Sequence, residues 1–178
     1  FEYEGPDQDD YLSDPRCYTP VPGDSDTDFS ELIAVIDKLN HPSDADFPDV
    51  FPLLWDVDAW IPTTAVLQVL VFGDSPNANA NNFYTYYPAD GGPTRFALWD
   101  MDMGYWSTLQ PCQSEADSIQ WDLFQYSNCY DSLPLFERMV AVPEYQQRFL
   151  EAAYDFQTGP FAPVTFEAHL EKIVDQLA

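Results

Sequence analysis

The segment Ala59 to Phe72 constrains the fold of this 178-residue chain more than any other part. Its residues are Ala, Trp, Ile, Val, Leu and Phe, relieved only by Pro62, Thr63, Thr64 and Gln68. A helix on a protein surface carries a polar face at helical period, and this one is apolar nearly all round. It therefore reads as a central, buried helix, with Pro62 tolerated in its first turn and Gly73 as its stop. Spanning a bilayer takes roughly 18 apolar residues or more, and the best run, Ala65 to Phe72, is far shorter. The helix must be covered by the rest of the chain.

The covering elements can be read from periodicity. Phe29, Leu32, Ile33, Ile36 and Leu39 fall at helical spacing, which predicts a helix over Phe29 to Leu39, with Asp28 and Glu31 placed as a capping box. Before it, a short edge strand at Phe1 to Glu4 leads into Asp7 to Asp28, rich in Asp, Pro, Ser and Gly and expected to be loop. His41 to Pro52 reads as a second loop. Phe83 to Tyr87 is an aromatic strand, Pro88 to Pro93 a turn, and Arg95 to Trp99 the returning strand of a hairpin. Downstream, Leu133 to Val140, Pro143 to Phe156 and Thr165 to Leu177 show helical spacing and are expected to form a packing scaffold. No repeat of fixed period is present. With 46% hydrophobic and 16% aromatic residues the chain can bury one core, which suits one domain, or two lobes.

Charge limits the partners. Six Lys and Arg against 31 Asp and Glu leave a net charge of −25, which repels nucleic acid and anionic membrane surfaces. Such an excess suits a secreted protein, a saline habitat or abundant divalent cations, and a solvated acidic surface is its plainest meaning. Of the three cysteines, Cys112 and Cys129 bracket a loop-rich stretch and could close a disulfide outside a reducing compartment; Cys17 is left over. The chain begins at Phe1 in a strand-like pattern and stops at Ala178 in a helical one, which reads as a fragment of a longer protein.

The residues with chemistry to offer are Asp74, Asn82, Asp100 and Asp102. Magnesium takes hard oxygen ligands, usually one or two carboxylates with amide carbonyl, phosphate and water oxygens. The Asp-x-Asp spacing alone says little, because it occurs six times, at Asp7/Asp9, Asp24/Asp26, Asp26/Asp28, Asp44/Asp46, Asp56/Asp58 and Asp100/Asp102. The last pair differs in following an apolar strand among Trp99, Met101, Met103 and Tyr105. Carboxylates buried there would need a compensating cation, and a bound metal would supply it. Asp24-x-Asp26-x-Asp28 begins like a calcium loop but has Phe29 at the glycine position and Val35 at the terminal glutamate position, so it reads as a solvated acidic loop. His41 and His169 have no cysteine at ligand spacing, which argues against zinc. No nucleophile-elbow serine motif or glycine-rich phosphate loop is present.

Asn82-Phe83-Tyr84-Thr85-Tyr86-Tyr87, a turn, and Phe96-Ala97-Leu98-Trp99-Asp100-Met101-Asp102-Met103-Gly104 together resemble the hallmark of the spore-coat protein H (CotH) kinase family. Pro134 to Tyr145 resembles that family's C-terminal helices, and the similarity runs from about Asp28 onward. The resemblance implies an α+β, atypical protein-kinase-like fold, mostly the helix-rich C-terminal lobe, with a central β-hairpin carrying the metal site. It implies a division into 1–28, the loop-rich end of an incomplete N-terminal lobe, and 29–178, a catalytic lobe. It further implies ATP and Mg2+ (or Mn2+ or Ca2+), Asp74 as catalytic base, Asn82 and Asp100 as residues holding metal and nucleotide, and Asp102 as a second metal ligand or structural partner. Asn81 and Asn79 are register alternatives to Asn82. Seven residues separate Asp74 from Asn82, a longer loop than the family's usual one. None of Lys38, Lys172, Arg16, Arg95, Arg138 and Arg148 lies in a strand-borne ATP-binding pattern.

Residues and resemblance together predict a secreted or surface kinase that phosphorylates Ser or Thr of an extracellular or coat protein. The alternative is a non-catalytic, calcium-binding adhesion or structural module on the same fold, and a metal-dependent hydrolase is a third reading.

Overall fold

A computed structural model of the chain describes residues 5–7, 9, 11, 29–78, 82–102, 104, 122–124 and 134–177. Among these lie six helices and one two-stranded hairpin: α1 (Ser30–Asn40), α2 (Phe47–Leu54), α3 (Val57–Val69), β1 (Phe83–Tyr86), β2 (Arg95–Leu98), α4 (Pro134–Ala141), α5 (Pro143–Thr158) and α6 (Pro163–Leu177). The expected α+β class is present, and α3 is the central helix. Seven of its thirteen residues are buried, including Trp60, Ile61, Ala65 and Leu67, and its main partner is α5.

Several boundaries differ from the sequence reading. The helix expected from Ala59 starts at Val57, because the Asp56 carboxylate accepts the Ala59 N–H at 3.2 Å and caps it. Pro62 therefore lies in the helix interior, where it removes the bond to the Asp58 carbonyl, at a residue exposed to solvent. The helix ends at Val69 and not at Gly73. Val71 takes a left-handed backbone at φ 49°, its N–H donates to the Gln68 carbonyl at 3.1 Å, and the Phe72 N–H donates to the Leu67 carbonyl at 3.0 Å. This paired termination usually uses glycine at the left-handed position. A β-branched residue there costs on the order of 1–2 kcal/mol, offset in part by burial of the Val71 side chain.

Part of the stretch expected as loop, His41 to Pro52, is helical. Phe47 and Phe51, one turn apart, are both buried with stacked rings 4.9 Å between centroids, and that burial outweighs the two prolines. Pro48 sits in the first turn, where its missing N–H costs nothing. Pro52 is interior and leaves the Pro48 carbonyl without its helical donor; the Tyr145 hydroxyl of α5 supplies one at 2.8 Å. Burial holds the Tyr145 phenol above its usual pKa and so in the neutral, donating form. Tyr145→Phe is expected to cost about 1 kcal/mol in urea unfolding, with the slope of the transition unchanged; a change within error would show that the carbonyl is satisfied without it.

Helix α1 begins at Ser30, one residue later than expected, so its cap is Phe29, which has no side-chain acceptor; Asp28, the expected cap, lies outside the described residues. Asp9 and Tyr11, expected in loop, have helical backbone, and the Asp7 carboxylate accepts the Asp9 N–H at 3.1 Å. Tyr11 is buried with Phe29 and Ile36 in a small second core. Arg138 of α4 joins α1 to α2. Its guanidinium donates to the carbonyls of Leu39, Pro42 (2.7 Å) and Ser43 (3.4 Å) and lies 4.3 Å from the centroid of the Phe47 ring. The Leu39 carbonyl, at the C-terminal end of α1, lacks an intrahelical donor and Arg138 supplies one, while the Ser43 carbonyl also accepts the Asp46 and Phe47 N–H groups. The strand at Phe1 to Glu4, the Asp24-x-Asp26-x-Asp28 run and all three cysteines fall outside the described residues.

The hairpin is antiparallel, with Phe83 opposite Leu98 and Tyr86 opposite Arg95. Its inner face docks on the junction between α2 and α3: Phe96 meets Trp60 edge-on at 4.8 Å, and its ring is parallel to Trp55 at 6.3 Å. The backbone reinforces this, since the Thr94 N–H donates to the Leu54 carbonyl and the Asp56 N–H to the Thr94 carbonyl, both at 2.9 Å. Helices α4 and α5 fulfil the scaffold expectation, with Phe136, Met139 and Phe149 in the main core. Helix α6 does not. Most of its described side chains are exposed, Val164, Phe166, Leu170, Ile173 and Val174 among them, and it adjoins α5 through the rings of Phe156, Phe161 and Phe166.

Candidate active site

The end of α3 delivers Asp74. Beyond the left-handed turn at Val71 the chain stays inside: Gly73, Ser75, Pro76, Asn77 and Ala78 are all buried, and Asp74 is the half-buried exception. A buried loop must satisfy its polar groups internally. The Ser75 hydroxyl donates to the Phe72 carbonyl at 2.8 Å, the Ala78 N–H to the Ser75 carbonyl at 3.1 Å, and Asn77 Nδ2 to the Thr64 carbonyl within α3 at 2.9 Å.

Asn82 closes the loop. Its side chain is buried, and Nδ2 donates both to the Asp74 backbone carbonyl at 3.0 Å and to the Asp74 carboxylate Oδ2 at 2.8 Å. With the amide nitrogen so committed, Oδ1 is left without a protein donor among the described residues. It is a hard oxygen of the kind a divalent cation takes. Of the three asparagines proposed for this position, Asn82 is thus joined to Asp74; Asn79 and Asn81 lie outside the described residues.

The hairpin carries the site to Asp100. The Trp99 N–H donates to the Asn82 carbonyl at 3.1 Å, extending the ladder past the last strand pair, and Asp100 follows directly. Asn82 and Asp100 both have left-handed backbones, at φ 61° and 54°. Asn and Asp tolerate this region better than other non-glycine residues, and such conformations collect at functional sites. Gly104 then brings the chain back to the end of α3: a Cβ in its place would stand 3.4 Å from the Phe72 ring and 3.7 Å from the Leu70 carbonyl oxygen. The path from α3 through Asp74, Asn82, Trp99 and Asp100 to Gly104 is a closed circuit.

One expectation about the Asp pair is overturned. Asp100 and Asp102 are exposed, and Trp99 beside them is 45% exposed, so water solvates these carboxylates and no buried charge calls for a metal. Trp99 is turned out of the core instead of enclosing the pair; Met103 and Tyr105 lie outside the described residues. Among the described residues no group of three or more His, Cys, Asp or Glu side chains could hold a metal ion. The donor set that remains is mixed, an amide oxygen at Asn82 and a solvated carboxylate at Asp100, and its chemistry fits magnesium with phosphate and water completing the shell. Asp102 has no hydrogen bond or ion pair to another of the described residues, and its neighbours from 105 to 121 lie outside them. His41 Nδ1 lies 2.7 Å from the Asp37 carboxylate, away from this circuit.

The strand alternation puts a second feature outward. Tyr84 and Trp99 are 50% and 45% exposed and stack on each other, ring centroids 5.7 Å apart. Tyr86 and Arg95 continue the same outer face. The pleat makes this legible from sequence once the register is known, because Phe83 and Phe96 are the inward residues. Of the six cations considered, Arg138 holds helix carbonyls and Arg148 pairs with Asp58 at 2.6 Å, while Arg95 is strand-borne; Arg16 lies outside the described residues.

The α+β chain brings Asp74 and Asn82 together beyond the end of its central helix, with the solvated Asp100 next to the Trp99 that bonds the Asn82 carbonyl, and these are oxygen groups of the types used in phosphoryl transfer. The family model for CotH kinase protein matches residues 7–178, and the chain belongs to that family. The match begins well before Asp28, the point from which the resemblance was expected. No curated protein matches the chain.

Proposed function

We propose that this chain is the catalytic lobe of a secreted or surface protein kinase that transfers phosphate from ATP to Ser or Thr hydroxyls of an extracellular or coat protein. The observation carrying this reading is the double hydrogen bond from Asn82 Nδ2 to Asp74. It orients the carboxylate and turns Asn82 Oδ1 to other use, and it lies one backbone hydrogen bond from the segment bearing Asp100.

Each residue then has a part. Asp74 orients the acceptor hydroxyl and takes its proton as the oxygen bonds to the γ-phosphorus and the bond to the β–γ bridging oxygen breaks, releasing ADP. Asn82 Oδ1 and Asp100 would hold a divalent cation, with Asp102 a weaker second carboxylate. Bound there, the metal neutralises charge on the β- and γ-phosphates. The exposed Tyr84 and Trp99 rings offer a nucleobase a stacking surface beside the phosphate end. The acidic surface fits an extracellular setting and disfavours nucleic acid as a partner.

The test is transfer from γ-labelled ATP with magnesium to a mixed protein acceptor. Transfer is expected from the wild type, and Trp99→Ala should raise the KM for ATP about tenfold with a smaller change in kcat, as loss of one stacking partner does. No transfer, together with a melting temperature that responds to calcium and ignores ATP, would instead support the adhesion module. Release of phosphate without an acceptor would support a hydrolase.

A further inference from the structure

The loop that carries Asp74 is fastened to α3 by a side chain whose own bonding is incomplete. Asn77 is 2% exposed; Nδ2 donates to the Thr64 carbonyl at 2.9 Å, thirteen residues back along the chain, while Oδ1 is buried with no hydrogen-bond partner among the described residues. For stability this is a poor bargain. One intramolecular hydrogen bond is gained, and the desolvation cost of a buried acceptor, of similar or larger size, is incurred. Thr64 lies on the best-buried helix of the lobe, so its carbonyl is a fixed point. The loop between has buried backbone on both sides of Asp74, with the Ser75 hydroxyl closing the near side and Asn82 the far side.

We propose that Asn77 is a positioning residue for Asp74, holding the loop at a fixed height on α3 so that the carboxylate stands at a set distance from the donors Asn82 and Asp100. Asn82 fixes the direction of the carboxylate relative to the hairpin. Among the described hydrogen bonds, Asn77 is the loop side chain that reaches directly into the body of α3, while Ser75 bonds to the chain just beyond its end. The proposal rests on the reading of Asp74 as the base. It assigns Asn77 no contact with nucleotide, metal or acceptor, so its removal should leave binding alone and slow the chemical step.

The experiment compares wild type with Asn77→Leu, which keeps the branching and lacks the donor, and with the smaller Asn77→Ser, in the full-length protein. The expected result is a kcat about 10- to 100-fold lower, the loss that a displacement of about 1 Å produces, with KM for ATP within about twofold of wild type. The melting temperature of Asn77→Leu should not fall, because the unpartnered acceptor is removed with the donor. Hydrogen exchange should quicken at the Ala78 amide while the buried amides of α3 keep their protection. Unchanged kcat overturns the proposal, as does a fall in kcat matched by equal falls in ATP affinity and melting temperature, which marks a residue needed only for folding. A wild type that transfers no phosphate fails the kinase reading itself; unchanged Ala78 exchange in Asn77→Leu then removes the tether independently.

Discussion

Asp74→Asn is expected to lower kcat for phosphate transfer by about 10²- to 10⁴-fold, the usual contribution of a positioned general base. The substitution keeps the shape of the side chain and an oxygen that can accept from Asn82 Nδ2, so the loop should stay in place. Melting temperature, and its increase with magnesium and ATP, should match those of the wild type. Measured on purified protein under single turnover, a kcat within tenfold of wild type would remove Asp74 from the mechanism. Loss of the ATP-dependent increase in melting temperature would instead make Asp74 a binding residue.

The largest effect on stability is expected at Arg138. Its guanidinium serves three backbone carbonyls and covers the Phe47 ring, and its side chain is only 16% exposed. The Asp44 carboxylate, 3.5 Å away, is fully exposed and adds little. Arg138→Ala strands the partly buried Leu39 and Pro42 carbonyls, the Ser43 carbonyl keeping its two backbone donors, at a cost of about 2–4 kcal/mol, which for a domain of this size lowers the melting temperature by roughly 5–15 °C. Arg138→Lys should recover only part, since a single ammonium cannot reach the same spread of acceptors. Thermal unfolding followed by circular dichroism measures both, and a drop of under about 2 °C for Arg138→Ala would mean that water satisfies these carbonyls as well as the guanidinium does.

Periodicity made the large elements legible. An unbroken apolar run and two aromatic strands around a Pro-Gly turn have few folded solutions, so α3, the hairpin and α5 lie close to where the pattern puts them. Helix α2 was hidden because Pro48 and Pro52 look like loop residues, and only the docking of Phe47 and Phe51, with Tyr145 reaching across to Pro48, makes helix the better state. The end of α3 was misread for a related reason: Val71 adopts a conformation normally given to glycine because burial holds it there.

The candidate residues can be picked out by type and order, but their environment cannot. Asp74 and Asn82 are hydrogen-bonded to each other although seven residues separate them, a longer loop than the resemblance implies. The solvation of Asp100 could not be read from its aromatic neighbours, since a strand end can turn those rings either way. Arg138 and Asn77 were invisible for the opposite reason: each acts on backbone carbonyls far away in sequence, and carbonyls leave no mark on composition or pattern.

The hairpin is pinned to the junction of α2 and α3 by Thr94 and the Trp55, Trp60 and Phe96 rings, and the Asp74 loop hangs from the end of the same helix. Among the described residues, both the hairpin and the Asp74 loop are therefore anchored on α3. On the proposed kinase reading, turnover would be timed at the rim, over the outward rings of Tyr84 and Trp99, and the departure of spent nucleotide would be set by whatever covers those rings.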